Sequence, residues 1–524
     1  MGQDAAAFAD PDGLRMQPWH STLYQVVRDN VATLYQASED GFGTPLPRFV
    51  RAEFDGYLRC QVLGRGFAHM VCRDCRKPQL LAFCCHGRGF CPCCTGRRMA
   101  QSAANLTEFV LPDAPLRQFV LTVPHPLRPL IAYDRHLLPR IYAIFYQSIE
   151  RLYQRRLADL GHAGGRTGSV TAIQRASSDL RINPHLHGVF LDGVFTENSS
   201  GELTFVALPA LSDMDVGELL STIVARVLSH LRRQGLLSDD GSALQGPEPE
   251  ADSEQLVLGA LATAATFGKD LAGPERRTGR MPYVYEAADE TRFQGPLCAF
   301  QAGFSLHANT HVEAGDKPGR ERLIKYILRP PLCAQRIERI DGGRVRLRLK
   351  RTFSDGTWAV EMDELSLVAR LAALVPPPWQ NQVRYSGVLA PASNWRPRIV
   401  PKPPSEPRDT AAADTGPACD HGQPPFDDDT RMDHKLPKGK GCRYWPWRLL
   451  KARTFGAQTT ACPDCGGNLR LRALVRDPQA ILRILTHLGL PTEVPNPAPA
   501  RGPPYYRGPV RRLRPGGEQQ EWLP

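Results

Sequence analysis

The chain has 524 residues, too many for one ordinary core, which implies two to four folded units. Its 42% hydrophobic and 23% charged residues are those of a soluble globular protein, and no run approaches the roughly 18 apolar residues that a membrane helix needs. A formal net charge of +11 favours a polyanionic partner, nucleic acid before membrane, although abundant arginine alone would produce the same sum.

The start, "MGQDAAAFADPDG", has neither a basic end nor an apolar core, so no secretory leader is read there and a cytoplasmic, reducing location is expected. In that setting 14 cysteines argue for metal ligation over disulfides. Residues 18–58 read as helical, with "LYQVVRDNVATLYQ" placing apolar residues at helical spacing. Eight cysteines then fall between Cys60 and Cys94. Cys72-x2-Cys75 and Cys91-x2-Cys94 are separated by 15 residues, the spacing of a four-cysteine structural zinc site, so residues 18–98 are expected to form an N-terminal zinc-binding module. Cys60, Cys84, Cys85, Cys93 and His86 are surplus; Cys93 competes with Cys94, and Cys60 with His86 suggests a second ion.

"RRMAQSAANLTEFVL" is a helix, "LRQFVLTVP" a buried strand, and "HLLPRIYAIFYQSIERLYQRRL" an amphipathic helix. "GSVTAIQR" and "INPHLHGVFLDGVF" are strands. This order predicts an α+β domain with an antiparallel sheet over residues 99–398. Residues 196–295 read as an insertion, with a helix in "DVGELLSTIVARVLSHLRRQGLL" and a polar loop after it. "FQAGFSLHANTHVEA" alternates like a strand, "RERLIKYILRPP" is a short helix stopped by prolines, and "GRVRLRLKRTFSDGTWAVEM" is a hairpin with an Asp-Gly turn. Residues 399–440 read as a disordered linker, 441–492 as a small zinc-ribbon-like unit and 493–524 as a disordered tail. Cys462-x2-Cys465 is half of a ribbon, a second candidate zinc pair that Cys442, Cys419 or His421 would complete poorly.

His185 and His187 lie two apart on a strand, hence on one face, where two imidazoles can share a cation. Gln174 ends the preceding strand and is a candidate third ligand. Tyr326 sits mid-helix with Arg322 at i−4 and Arg329 at i+3. A tyrosine between two arginines, beside a divalent ion, suits phosphodiester transesterification: the ion orients the phosphate, the arginines offset charge and the phenol oxygen attacks. Tyr326 also reads as a core aromatic beside Leu323 and Ile327. His307 and His311 in "HANTH" lack the glutamate of a zinc-protease helix and read as a neighbour of the site and a surface residue.

"INPHLHGVFLDGVF", "LIKYILRPPL" and "GRGFCPCC" followed by "RRM" resemble the rolling-circle insertion-sequence transposases of the IS-ninety-one and ISCR group, in the His-hydrophobe-His (HUH) endonuclease superfamily. "VRYSGVLAPASNWRPRIVP" and "CPDCGGNLRLRALVRDPQAILRILTHLGLP" are similar to further segments of that family. The resemblance implies an HUH fold, a catalytic Mg²⁺ or Mn²⁺ on His185, His187 and Gln174 in addition to structural Zn²⁺, and Tyr326 as a nucleophile that nicks and rejoins single-stranded DNA at mobile-element ends through a 5′-phosphotyrosine. It implies DNA as partner, with no membrane, and a bacterial, nucleoid-associated location when bound. Some relatives carry a second tyrosine four residues away; residue 322 is Arg and 330 is Pro, so the chain resembles the single-tyrosine branch. A plasmid replication initiator or relaxase would share the chemistry, but no Walker-type phosphate loop is present. A non-catalytic zinc DNA-binding remnant is the reading from another class.

Overall fold

The computed structural model describes residues 18–237, 253–267, 290–401, 462–506, 508–515 and 519–521. The first helix, α1 (Thr22–Phe42), starts where the Ser21 side chain accepts the Tyr24 N–H at 3.2 Å, and it buries Leu23, Tyr24, Val27, Val31 and Leu34. After α2 (Arg48–Arg59) come the short strands β1 (Phe67–Cys72) and β2 (Pro78–Ala82). Pro92, whose missing N–H costs nothing in a first turn, opens α3 (Pro92–Phe109) directly after Cys91.

The central part runs β3 (Leu116–Thr122), α4 (Arg128–Tyr133), α5 (Leu137–Asp159), β4 (Gly168–Ala176), β5 (Ile182–Leu191), β6 (Gly193–Glu197) and β7 (Leu203–Ala207). Then follow α6 (Asp213–Arg233), α7 (Ser253–Phe267), β8 (Arg292–Phe293), β9 (Cys298–Gln301), β10 (Phe304–Val312) and α8 (Lys317–Ile327). The remainder is β11 (Ile337–Ile340), β12 (Arg344–Arg348), β13 (Ala359–Asp363), α9 (Glu364–Leu374), β14 (Val383–Gly387), α10 (Arg396–Ile399), β15 (Leu469–Val475), α11 (Pro478–His487), β16 (Arg511–Leu513) and β17 (Gln519–Glu521).

A seven-stranded antiparallel sheet, in the order β14-β4-β5-β3-β10-β9-β8, organises the middle of the chain. Alternation divides its side chains between two layers. Phe119, Leu121, Ile173, Leu186, Phe190, Phe304 and Leu306 pack against α5 and α6. Gly188 permits this close approach, since a Cβ there would lie 2.8 Å from the Phe145 ring. On the opposite face Leu116, Val170, Ala172, Val189, Leu191 and Val312 meet Leu323, Ile324 and Ile327 of α8 and Ala103 and Leu106 of α3. Burying the three α8 side chains stabilises the docked helix by at most about 5–8 kcal/mol. Pro184 stands in a central strand because the β4–β5 register shifts between Gln174 and Ala176, so its missing N–H falls at a bulge.

A second, five-stranded sheet (β11-β12-β13-β16-β17) and the wholly buried α9 share one core with α1, α2, α7 and the cysteine segment. This differs from the expectation in two ways. Part of the supposed disordered tail is ordered: β16 pairs with β13, Val510 is buried, and Arg501 reaches Asn30 at 3.1 Å and Asp363 at 3.5 Å. Residues 462–487 are not a separate unit either: β15 pairs with β1, and Ile481 and Leu485 of α11 pack on Phe67. Proline content misled in the tail because edge strands and Arg-carboxylate ties order a segment without a continuous apolar run. "FQAGFSLHANTHVEA" is also two strands, turned at Ala302 and Gly303, both with positive φ. Most of the expected linker, residues 402–440, lies outside the described residues.

Candidate functional site

β5 lies between β4 and β3, which sets His187 opposite Ala172 and Val120, and His185 opposite Gln174 and Thr122. Both imidazoles therefore project from the face that α8 covers. Their ring centroids are 4.8 Å apart. His185 Nδ1 is 2.6 Å from the Asn183 carbonyl, so it donates there and leaves Nε2 as a lone pair. His187 Nδ1 is 2.8 Å from the Gln118 amide, and its Nε2 is buried without a hydrogen-bond partner. An orphaned ring nitrogen beside a second imidazole, each ring held through its other nitrogen, fits a divalent cation. Burial, with the positive Arg329 near both rings, pushes His185 down to about 4 and His187 to about 2, so both rings are neutral at physiological pH.

Tyr326 is the next part of the constellation. Its ring centroid lies 5.9 Å from that of His187, edge-on at 83°, although 139 positions of sequence separate them. Leu323, Ile324 and Ile327 face the sheet and are buried, whereas Tyr326 is 44% exposed, which excludes its reading as a core aromatic. Pro330 keeps Arg329 out of the helix, and the Arg329 guanidinium lies over the Tyr326 ring at 4.4 Å. Arg322 behaves otherwise. It is 73% exposed and directed at Asp316, 3.9 Å away, so the expected pair of flanking arginines is one arginine in this arrangement. Gln174, opposite His185 in the sheet, donates its amide N–H to the Ile327 carbonyl at 2.7 Å, tying the sheet to the end of α8.

Sequence reasoning missed Gln118 and Asn183, which hold the imidazoles. The signal for Gln118 was a polar residue at an inward position of the apolar run "LRQFVLTVP". His307 lies opposite Val120, on the histidine face but two strands from His187, roughly 10 Å across. Burial lowers its pKa. His311 is not a simple surface residue: its Nε2 is 3.2 Å from Asp192, which also binds Arg117. Beside Gln174 and the end of α8 a cleft opens between α3 and β4, lined by Arg88, Arg98, Arg175, Arg329 and Lys350 with no carboxylate, a setting suited to phosphate.

The expected zinc set of Cys72, Cys75, Cys91 and Cys94 is not brought together. Cys91 and Cys94 gather with Cys60 and Cys85, while Cys72 and Cys75 face Cys462 and Cys465. Spacing alone paired the nearest hooks, but β1 runs away from the start of α3 and turns its hook towards β15. His86 joins none of the metal-competent groups among the described residues, and Cys419, His421 and Cys442 lie outside them. The candidate zinc ligands are all free thiols in the structure.

Two family models match the chain. Residues 29–123 match the family described as "Transposase zinc-binding domain", of the IS91 type, and residues 168–396 match the family described as "Putative transposase". The chain is 24% identical over 351 residues to the transposase for insertion sequence element IS801 of Pseudomonas savastanoi pv. phaseolicola, covering 64% of this chain and 68% of that protein. No solved structure matches. No helix among the described residues is long and apolar enough to cross a membrane. With both domain matches in order along more than half of its length, the chain belongs to the insertion-sequence transposases of the IS91 family, zinc-binding proteins that act on DNA.

Proposed function

We propose that this transposase is a metal-dependent tyrosine nuclease of the HUH type, which nicks and rejoins single-stranded DNA at the ends of its element. The observation that carries the reading is the meeting of Tyr326, Arg329 and the two inward imidazoles on one face of the sheet. In this reading His185 and His187, with the Gln174 amide oxygen, would hold Mg²⁺ or Mn²⁺, ions that accept mixed nitrogen and oxygen ligands. Bound there, the ion would supply Lewis acidity to the scissile phosphate and help orient it for in-line displacement.

The Tyr326 phenol oxygen attacks phosphorus and its proton passes to solvent. The bond from phosphorus to the 3′ oxygen breaks, and that oxygen leaves as a free 3′ hydroxyl after taking up a proton. The 5′ phosphate remains joined to Tyr326, so the phosphodiester's energy is conserved and no nucleotide cofactor is consumed. Arg329, stacked on the ring, offsets charge developing on the phosphoryl oxygens. Attack of a 3′ hydroxyl on the phosphotyrosine reverses the step and joins strands. The basic cleft beside Gln174 gives the strand a path between the zinc module and the sheet.

The test is incubation of the purified protein with labelled single-stranded oligonucleotides carrying an element end, with Mn²⁺. A covalent adduct is expected from the wild type and from neither Tyr326→Phe nor His187→Ala. An adduct that survives Tyr326→Phe removes the nucleophile from this account. A shift of the oligonucleotide without cleavage by the wild type would indicate a binding-only protein.

A further inference from the structure

We infer that a zinc ion shared between residues 72–75 and 462–465 joins two segments far apart in sequence into one ribbon. The zinc-binding domain match ends at residue 123, so half of this site lies far outside it. Tetrahedral zinc with Zn–S near 2.3 Å requires sulfur–sulfur edges of about 3.8 Å. The Cys72–Cys465 and Cys75–Cys462 sulfurs are 3.5 and 3.6 Å apart, and all four lie within 4.8 Å of one another.

The backbone is built for two opposed knuckles. The Cys72 N–H bonds the Lys77 carbonyl at 3.0 Å on one side. On the other, the Gly466 N–H bonds the Cys462 carbonyl at 2.8 Å, with Gly466 at φ +74°, where glycine alone is unstrained. The β1–β15 ladder, which pairs Cys72 with Leu469, and the Lys77–Asp464 contact at 3.2 Å hold the hooks in register. The ion would thus fasten β15 and α11 to the N-terminal module, which two free thiol pairs and a three-stranded sheet would hold more loosely.

A different observation carries a second assignment. Two metal-competent groups in the N-terminal module, Cys60-Cys84-Cys93-Cys94 and Cys60-Cys85-Cys91-Cys94, have Cys60 and Cys94 in common. Two tetrahedra sharing an edge have this pattern. The shared pair is 3.8 Å apart; Cys84–Cys93, between two terminal thiols, is 3.9 Å, and the terminal-to-shared contacts Cys85–Cys94 and Cys91–Cys60 are 3.4 and 3.7 Å, near the tetrahedral edge. The structure assigns a two-zinc, six-cysteine cluster in which the Cys60 and Cys94 thiolates bridge. A one-ion centre would leave two of six converging thiols idle.

Neither assignment rests on the nuclease reading, and zinc content tests both without an activity assay. Native mass spectrometry of the full-length chain, purified without chelator, counts zinc per molecule. Loss of one zinc in Cys462→Ser/Cys465→Ser supports the shared ribbon; an unchanged count overturns it. If that variant loses all its zinc through misfolding, alkylation of the wild type decides. The exposed Cys465 should resist iodoacetamide until a strong chelator is added, and immediate labelling refutes the site. Cys84→Ser/Cys93→Ser should likewise lose one zinc, and an unchanged count leaves a one-ion centre. X-ray absorption should show a Zn–Zn shell in the wild type; its absence overturns the bridged cluster whatever the variant does.

Discussion

Replacing Gln118 isolates the role of the residues behind the imidazoles. Gln118 is 2% exposed and its amide lies 2.8 Å from Nδ1 of His187, itself 4% exposed with Nε2 unpartnered. As placed, the Gln118 amide nitrogen faces Nδ1 and donates to it; for Nε2 to take a cation the amide must turn its oxygen there instead, accepting the Nδ1 proton and fixing the tautomer that presents an Nε2 lone pair. Gln118→Leu keeps much of the volume and removes the acceptor. The loss of one hydrogen bond at a buried polar group costs about 1–3 kcal/mol, so apparent Mn²⁺ affinity should fall by about 5- to 150-fold. The assay is the Mn²⁺ dependence of oligonucleotide nicking, with unfolding monitored alongside. Gln118→Glu supplies a stronger acceptor and should bind Mn²⁺ at least as tightly as the wild type. If the leucine variant titrates like the wild type, or if both variants weaken binding equally, Gln118 acts through packing and the argument fails.

Arg329→Ala should slow nicking by about 10²- to 10³-fold while oligonucleotide binding without metal changes little, and Arg329→Lys should recover only part, since ammonium lacks the planar stack on Tyr326; unchanged single-turnover rates would exclude Arg329 from the reaction. Asp192→Ala leaves the Arg117 guanidinium, 2.7 Å away, and the Tyr153 hydroxyl, 3.1 Å away, buried without their acceptor, and should cost about 3–5 kcal/mol in urea unfolding. Being roughly 17 Å along β5 from His187, that change should leave nicking by the folded fraction intact. Burial alone would raise the Asp355 carboxyl, but the Thr357 N–H, with Arg512 and Arg514, outweighs it and holds the group down to about 2. A depressed carboxyl stabilises above its unfolded value near 4 and loses that contribution as pH falls towards 2. Hydrogen exchange at the Trp358 amide, which donates to Leu513 at 3.0 Å, should therefore quicken across that window in the wild type more than in Asp355→Asn.

The local chemistry was legible in order along the chain. The short apolar run "LRQFVLTVP", stopped by Pro124, and the strand "GSVTAIQR" marked the sheet, and period-two spacing put His185 and His187 on one face. The proline stop after "RERLIKYIL" marked the helix that carries Tyr326, with its apolar stripe of Leu323, Ile324 and Ile327. Such patterns are short-range: each reports which side chains share a face, because strand and helix periods follow from backbone geometry alone. The exposure of Tyr326 beside that stripe, and the outward turn of Arg322, depend on how α8 lies on the sheet.

What only the folded chain decided is which faces meet. Nothing local distinguishes Cys91 from Cys462 as the partner of Cys72, since both belong to a two-residue hook. The choice falls to the β1–β15 ladder, formed by segments about 400 residues apart. The same holds for Gln118, whose meaning comes from the neighbouring strand, and for β16 and β17, which complete a sheet begun near residue 337. Sequence spacing constrains a ligand set only while the chain between its members is short. Beyond that, strand pairing and burial select the partners.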